Sequence, residues 1–118
     1  MFLDETGMLM APLVRRTWAP KGQTPVLHQR TNSHKKVSVI GTLWVSPWRT
    51  RLGFCFRLHP NENIDTAKVE DYLGELERHL AGPIVLLWDR FGPHKSLRMR
   101  DYLARHPNLH PEFFPPYA

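Results

Sequence analysis

The clearest hydrophobic pattern lies between Arg51 and Leu58, where Leu52, Phe54, Phe56 and Leu58 alternate with Arg51, Gly53, Cys55 and Arg57. A period of two marks a half-buried strand. Val37 to Val45, rich in β-branched and aromatic residues, predicts the strand before it, with Gly41 at a bulge and Ser46-Pro47-Trp48-Arg49-Thr50 as the hairpin connection. The period then changes. Val69, Tyr72, Leu73, Leu76 and Leu80 follow the i, i+3, i+4, i+7 spacing of an amphipathic helix, capped by Asn63 or Asp65 and stopped by Gly82-Pro83. Ile84-Val85-Leu86-Leu87-Trp88 is a continuous apolar run, expected to be a strand buried on both faces. A second helix is expected from about Pro93, lined by Leu97, Met99, Tyr102 and Leu103, and Leu109 to Phe114 predicts a final strand. Earlier in the chain, Met1-Phe2-Leu3 is a short apolar start. Arg15 to Trp18 and Val26 to His28 suggest short strands around the turn-rich Ala19 to Pro25, which is expected to pack rigidly against the sheet. Antiparallel strands followed by helix, strand, helix and strand predict an α/β mixed sheet, with right-handed crossovers making the last strands parallel to the first.

Composition narrows the class. With 118 residues the chain is a single domain with room for a core. No apolar stretch approaches the roughly 18 residues of a membrane span. The acidic start is not a secretory signal. The lone Cys55 excludes an internal disulfide and fits a cytoplasmic location. A net charge of +5 favours a polyanionic partner.

Asp89 ends the Ile84–Trp88 run, and Asp4 follows the apolar start. The carboxyl ends of strands are where open α/β sheets hold their ligands. Two carboxylates on neighbouring strands of a basic chain suggest a divalent-metal site acting on phosphate. Taken singly, Asp89 also reads as a turn former or cap, and Asp4 as a solvated acid. His94 reads as a group behind the metal ligands, a phosphate contact or a helix-start histidine. His34-Lys35-Lys36 and the cations around Lys95, Arg98, Arg100 and Arg105 are candidate contacts to a phosphate backbone. Trp18, Trp44 and Trp88 are expected in the core. Zinc-ligand spacing, a glycine-rich phosphate loop and nucleophile motifs are all absent.

The motifs together say more. Asp4-Glu5-Thr6-Gly7, Arg16-Thr17-Trp18-Ala19-Pro20-Lys21-Gly22-Gln23-Thr24-Pro25, Trp88-Asp89, His94-Lys95-Ser96 and Phe114-Pro115-Pro116-Tyr117-Ala118 occur in this order. Over nearly its whole length the chain resembles the catalytic domain of DDE-type insertion-sequence transposases related to the mariner group. The resemblance implies a ribonuclease H-like fold, with DNA strand cleavage and transfer supported by Mg²⁺ or Mn²⁺. It implies Asp4 as the first metal-binding acid and Asp89 as the second; Lys35, Lys36, His94, Lys95 and Arg98 are the candidate DNA contacts read from charge and position. The partners implied are DNA and either a second copy or a companion transposase chain. Three departures from the family pattern are expected: Arg90 replaces the usual Asn, and neither the helix bearing the third acid, normally beyond Pro-Pro-Tyr, nor the helix-turn-helix region is found in these residues. Residues 1–118 are therefore expected to be a partial catalytic domain, inactive alone. The alternative is a non-catalytic DNA-binding or subunit-interaction remnant.

Overall fold

The computed structural model describes residues 1–9, 18–26 and 35–115. Its strands are β1 (Phe2–Leu9), β2 (Lys36–Val45), β3 (Leu52–Pro60), β4 (Ile84–Trp88) and β5 (Leu109–Phe113). Between them lie helix α1 (Thr66–His79), a 3-10 turn (Gly92–Lys95) and helix α2 (Leu97–Arg105). The five strands form one sheet in the order β3-β2-β1-β4-β5. β1, β2 and β3 pair antiparallel, whereas β4 is parallel to both β1 and β5. This is the expected mixed topology.

Local chemistry accounts for the element ends. Asp65 caps α1, its carboxylate accepting from the Lys68 amide at 3.0 Å, and Gly82 turns the chain away with φ of 96°. The second helix starts later than the pattern predicted. Pro93 belongs to the 3-10 turn, and the cap of α2 is Ser96, whose Oγ accepts from Met99 N at 3.1 Å and donates to the Pro93 carbonyl at 2.9 Å. In the β2–β3 hairpin, Ser46 Oγ accepts from the amides of Thr50 and Arg51 at 3.1 and 3.0 Å.

The core lies on one side of the sheet. Leu3, Ile40, Leu86 and Trp88 meet Val69, Leu73 and Leu76 of α1 and Met99 of α2, and each of these is at most 2% exposed. Four expectations change here. Leu52, Phe54, Phe56 and Leu58 face outward, 51 to 68% exposed, because antiparallel pairing with β2 turns Cys55, Arg57 and His59 toward α1. Arg57 is matched there by Asp71 at 2.6 Å and by Glu75. β4 is buried on one face only, with Val85 left 53% exposed. Leu97 is likewise exposed rather than inward. No bulge interrupts β2, since pairing runs through Gly41, which stands opposite Asp4 and Phe56.

The region before β2 also differs from expectation. Trp18 is 99% exposed, and residues 18–26 are exposed throughout rather than packed on the sheet. Pro20 to Gln23 does form a turn, closed by Gln23 N donating to Pro20 O at 3.0 Å with Gly22 at φ 83°. The strands expected at Arg15 to Trp18 and Val26 to His28 fall mostly outside the described residues.

The two sheet glycines should respond differently to substitution. A Cβ on Gly53 would lie 2.2 Å from the Trp44 indole, whereas one on Gly41 would meet Phe54 at 3.6 Å, an ordinary contact. Gly53→Ala should therefore cost about 1–3 kcal/mol through overpacking, with Gly41→Ala close to neutral. Urea unfolding midpoints of the two variants measure the contrast.

Candidate metal centre

β1 and β4 run side by side and parallel, with Phe2 level with Leu87. Asp4 and Asp89, far apart in sequence, each lie two residues beyond that pair, Asp89 just past the carboxyl end of β4. Alternation along β1 places Leu3 and Glu5 on the helix-packed side and Phe2, Asp4 and Thr6 on the open side. Asp4 is exposed, with Oδ1 accepting from the Glu5 amide at 2.9 Å. Gly41, its cross-strand neighbour, has no side chain to crowd it.

Asp89 stands one residue past β4, its side chain 56% exposed. Oδ1 accepts from the Phe91 amide at 2.9 Å and lies 3.0 Å from Nδ1 of His94. Among the described residues Oδ2 has no hydrogen-bond or ion-pair partner. His94 is 1% exposed. Its ring stacks on Trp88 at 4.3 Å, the edge of Phe91 closes another side, and Nε2 lies 2.8 Å from Glu5 Oε1. Nδ1 is also 3.2 Å from the Asp89 carbonyl. Ligand atoms of Glu5, Asp89 and His94 all lie within 4.8 Å of one another. A cleft of about 640 Å³ opens beside Glu5, walled by Asn63, Asp65, Phe91 and Pro93 among others.

Burial works against a charge on His94. The Glu5 hydrogen bond and charge, with the Asp89 carbonyl and carboxylate, outweigh it and raise the pKa above 6.5.

The other candidates are arranged unequally. His94 is turned inward between two acids, so as placed it offers nothing to a phosphate backbone: burying a ring with both nitrogens engaged removes it from solvent. Arg98 is held by Glu70 through Nε and Nη2 at 2.7 to 3.0 Å. Lys36 donates to Asn63 Oδ1. Lys35 and Lys95 are exposed. Glu5 was passed over in the sequence. The signal available was its parity with Leu3, which puts an acid on the buried side of a strand and calls for a partner.

Along residues 1–118 the chain matches the family model of the DDE superfamily endonucleases, and it belongs to that family. No curated protein matches it. Among solved structures, a pre-cleavage Mos1 transpososome is similar with a TM-score of 0.58 and 19% identity, over 93% of this chain and 34% of that one. The Mos1 mariner paired-end complex with Mn gives 0.58 and 21%, over 93% and 34%. The Mos1 strand transfer complex gives 0.58 and 21%, over 93% and 32%. The shared fold is the ribonuclease H-like mixed sheet, and the chain spans about a third of the length of those structures. Among the described residues no helix is long and apolar enough to cross a membrane.

A group whose native pKa lies above its unfolded value holds its proton more tightly when folded. It stabilises the fold fully below the unfolded value and loses that contribution as pH rises through the native one. In chelator-treated protein, the urea midpoint should therefore fall as pH rises upward from 6.5 through the raised His94 value. That slope should flatten in His94→Gln; an equal slope in both proteins would show that His94 does not titrate this way.

Proposed function

We propose that the chain carries two of the three carboxylates of a transposase-type DNA cleavage and strand-transfer site, Asp4 and Asp89, which together would hold Mg²⁺ or Mn²⁺. The observation that supports this reading is the parallel β1–β4 pairing at Phe2 and Leu87, two residues before each acid. Family membership and the likeness to Mos1 complexes support it. The donor set fits a hard cation: both groups offer carboxylate oxygen, both are exposed, and Asp89 Oδ2 has no described partner. Glu5 and His94 fit less well as ligands, because Glu5 is directed to the packed side and both imidazole nitrogens are engaged. When bound, the cation supplies charge neutralisation at the scissile phosphate and activation of the attacking oxygen. Lys35 and Lys95 would hold the phosphate backbone by charge, without reading bases.

A third acid would have to approach from the open side, where Asp4 faces. That face carries Phe2, Leu43, Phe54 and Phe56, 42 to 65% exposed, as expected of a surface that a further helix covers. Glu112 on β5 does not meet this requirement, since β5 lies beyond β4 from Asp4. A companion chain or a continuation past Tyr117 would supply the helix.

Two outcomes are expected. In a supercoiled-plasmid nicking assay with Mn²⁺, residues 1–118 alone should cleave negligibly; a chain extended with an acid-bearing helix should nick, and Asp89→Ala in that extended chain should abolish nicking. Robust nicking by the short chain that vanishes in Asp4→Ala would overturn the requirement for a third acid. DNA binding by the short chain should be sequence-independent and weaken steeply with salt in a fluorescence titration; affinity that holds steady as salt rises contradicts a phosphate-backbone grip.

A further inference from the structure

We infer that His94 is a positioning residue that aims Asp89, with Glu5 as its anchor. The inference rests on Asp89 being a metal ligand, and it goes beyond that reading by naming what holds the ligand in place. Asp89 lies past the last β4 residue, where no ladder hydrogen bond restrains it, and a carboxylate on such a loop can rotate freely about χ1 and χ2.

Two groups restrict that freedom. The Phe91 amide donates to Oδ1 at 2.9 Å, and His94 Nδ1, hydrogen-bonded to the Asp89 main-chain carbonyl at 3.2 Å, lies 3.0 Å from the same carboxylate oxygen. With Oδ1 bonded to Phe91 and beside the imidazolium nitrogen, Oδ2 is the oxygen that has no partner among the described residues and is the one left for a cation. His94 can hold this pose because it is itself immobilised. Trp88 covers its face at 4.3 Å, Phe91 meets it edge-on at 5.7 Å, and Glu5 Oε1 binds the far nitrogen at 2.8 Å.

The chain of contacts therefore runs from β1 through Glu5 and His94 to the loop after β4. It ties the height of Asp89 to the strand that carries Asp4. A rigid sheet thus sets the spacing of two acids of which only one lies on a strand. This also gives Glu5 a role that needs no contact with metal or DNA: it fixes the ring, and the ring fixes the carboxylate.

Two substitutions separate aiming from packing. His94→Asn keeps an amide donor near the Nδ1 position, facing Asp89, and loses the reach to Glu5. His94→Gln keeps a donor near the Nε2 position, facing Glu5, and loses the contact with Asp89. Both remove the ring from Trp88, so they share the packing loss. In metal-free protein, hydrogen exchange of the Phe91 amide should quicken about tenfold or more in His94→Gln and His94→Ala relative to His94→Asn, after normalising to global stability. Mn²⁺ affinity by calorimetry should fall in the same order, about 10–100-fold for the variants that lose the Asp89 contact.

Phe91 exchange and Mn²⁺ affinity that track only the unfolding free energy of each variant, with Asn no better than Gln, would overturn the positioning role. Mn²⁺ affinity unchanged in Asp89→Asn would overturn the metal reading of Asp89, and with it this inference. Loss in Asp89→Asn with no change in any His94 variant would overturn the inference alone.

Discussion

The parallel pairing of β1 with β4 is the constraint on which the rest depends. Leu87 N donates to Met1 O at 2.7 Å and Phe2 stands level with Leu87. Parallel strands cannot be joined by a tight turn, so a long connection must span the interval between them. The β2–β3 hairpin extends the sheet on one side of β1, and α1 crosses over to deliver β4 on the other. Without this pairing the first and second acids belong to separate halves of the molecule. With it, Asp4, Glu5 and Asp89 reach one end of one sheet.

Burial of the helix-packed face makes the pairing durable. Val69, Leu73 and Leu76 of α1 lie on Leu3, Ile40 and Leu86, drawn from the three central strands. Each fully buried aliphatic side chain contributes about 1.5–3 kcal/mol relative to exposure. Several polar groups on that face are matched as well, although Thr42 Oγ1, His59 Nε2 and Trp88 Nε1 are buried without a hydrogen-bond partner among the described residues. Tyr72 donates to the Cys55 carbonyl at 2.9 Å, Ser38 Oγ to the Glu62 carbonyl at 2.6 Å, and Arg57 meets Asp71 and Glu75. These partners explain why the polar half of β3 turns toward the helix. The apolar half then faces the other way by pleat geometry alone.

The two sides of the sheet therefore divide the labour around the candidate centre. Asp4 and its glycine neighbour stand on the open side, accessible and uncrowded, whereas Glu5 and His94 stand on the packed side, closed in by Trp88 and α1. Adjacent acids on one strand are sent to opposite environments because successive side chains alternate. One remains available to a cation, and the other is paired with a buried imidazole.

Much of this was legible in the chain. The helical spacing of Val69 to Leu80, the Gly82-Pro83 stop, the apolar run to Trp88 and the hairpin at Ser46 to Thr50 all depend on local periodicity and turn chemistry, which short-range physics controls. The motif order carried the family, and with it the ribonuclease H-like topology; Asp4 and Asp89 as metal-binding acids are what that resemblance proposes. What stayed hidden was which side each residue faces. The pattern Leu52-Phe54-Phe56-Leu58 looks the same whether it points toward a helix or away from one, and register with β2 decided that it points away. Trp18 is apolar enough for a core yet stands fully exposed. The inward turn of His94 was equally invisible, because its partner Glu5 is 89 positions away in sequence. Composition and periodicity determined the elements and their order. Only the tertiary structure decided facing and partnership, since those are set by strands and side chains that meet far from their neighbours in the chain.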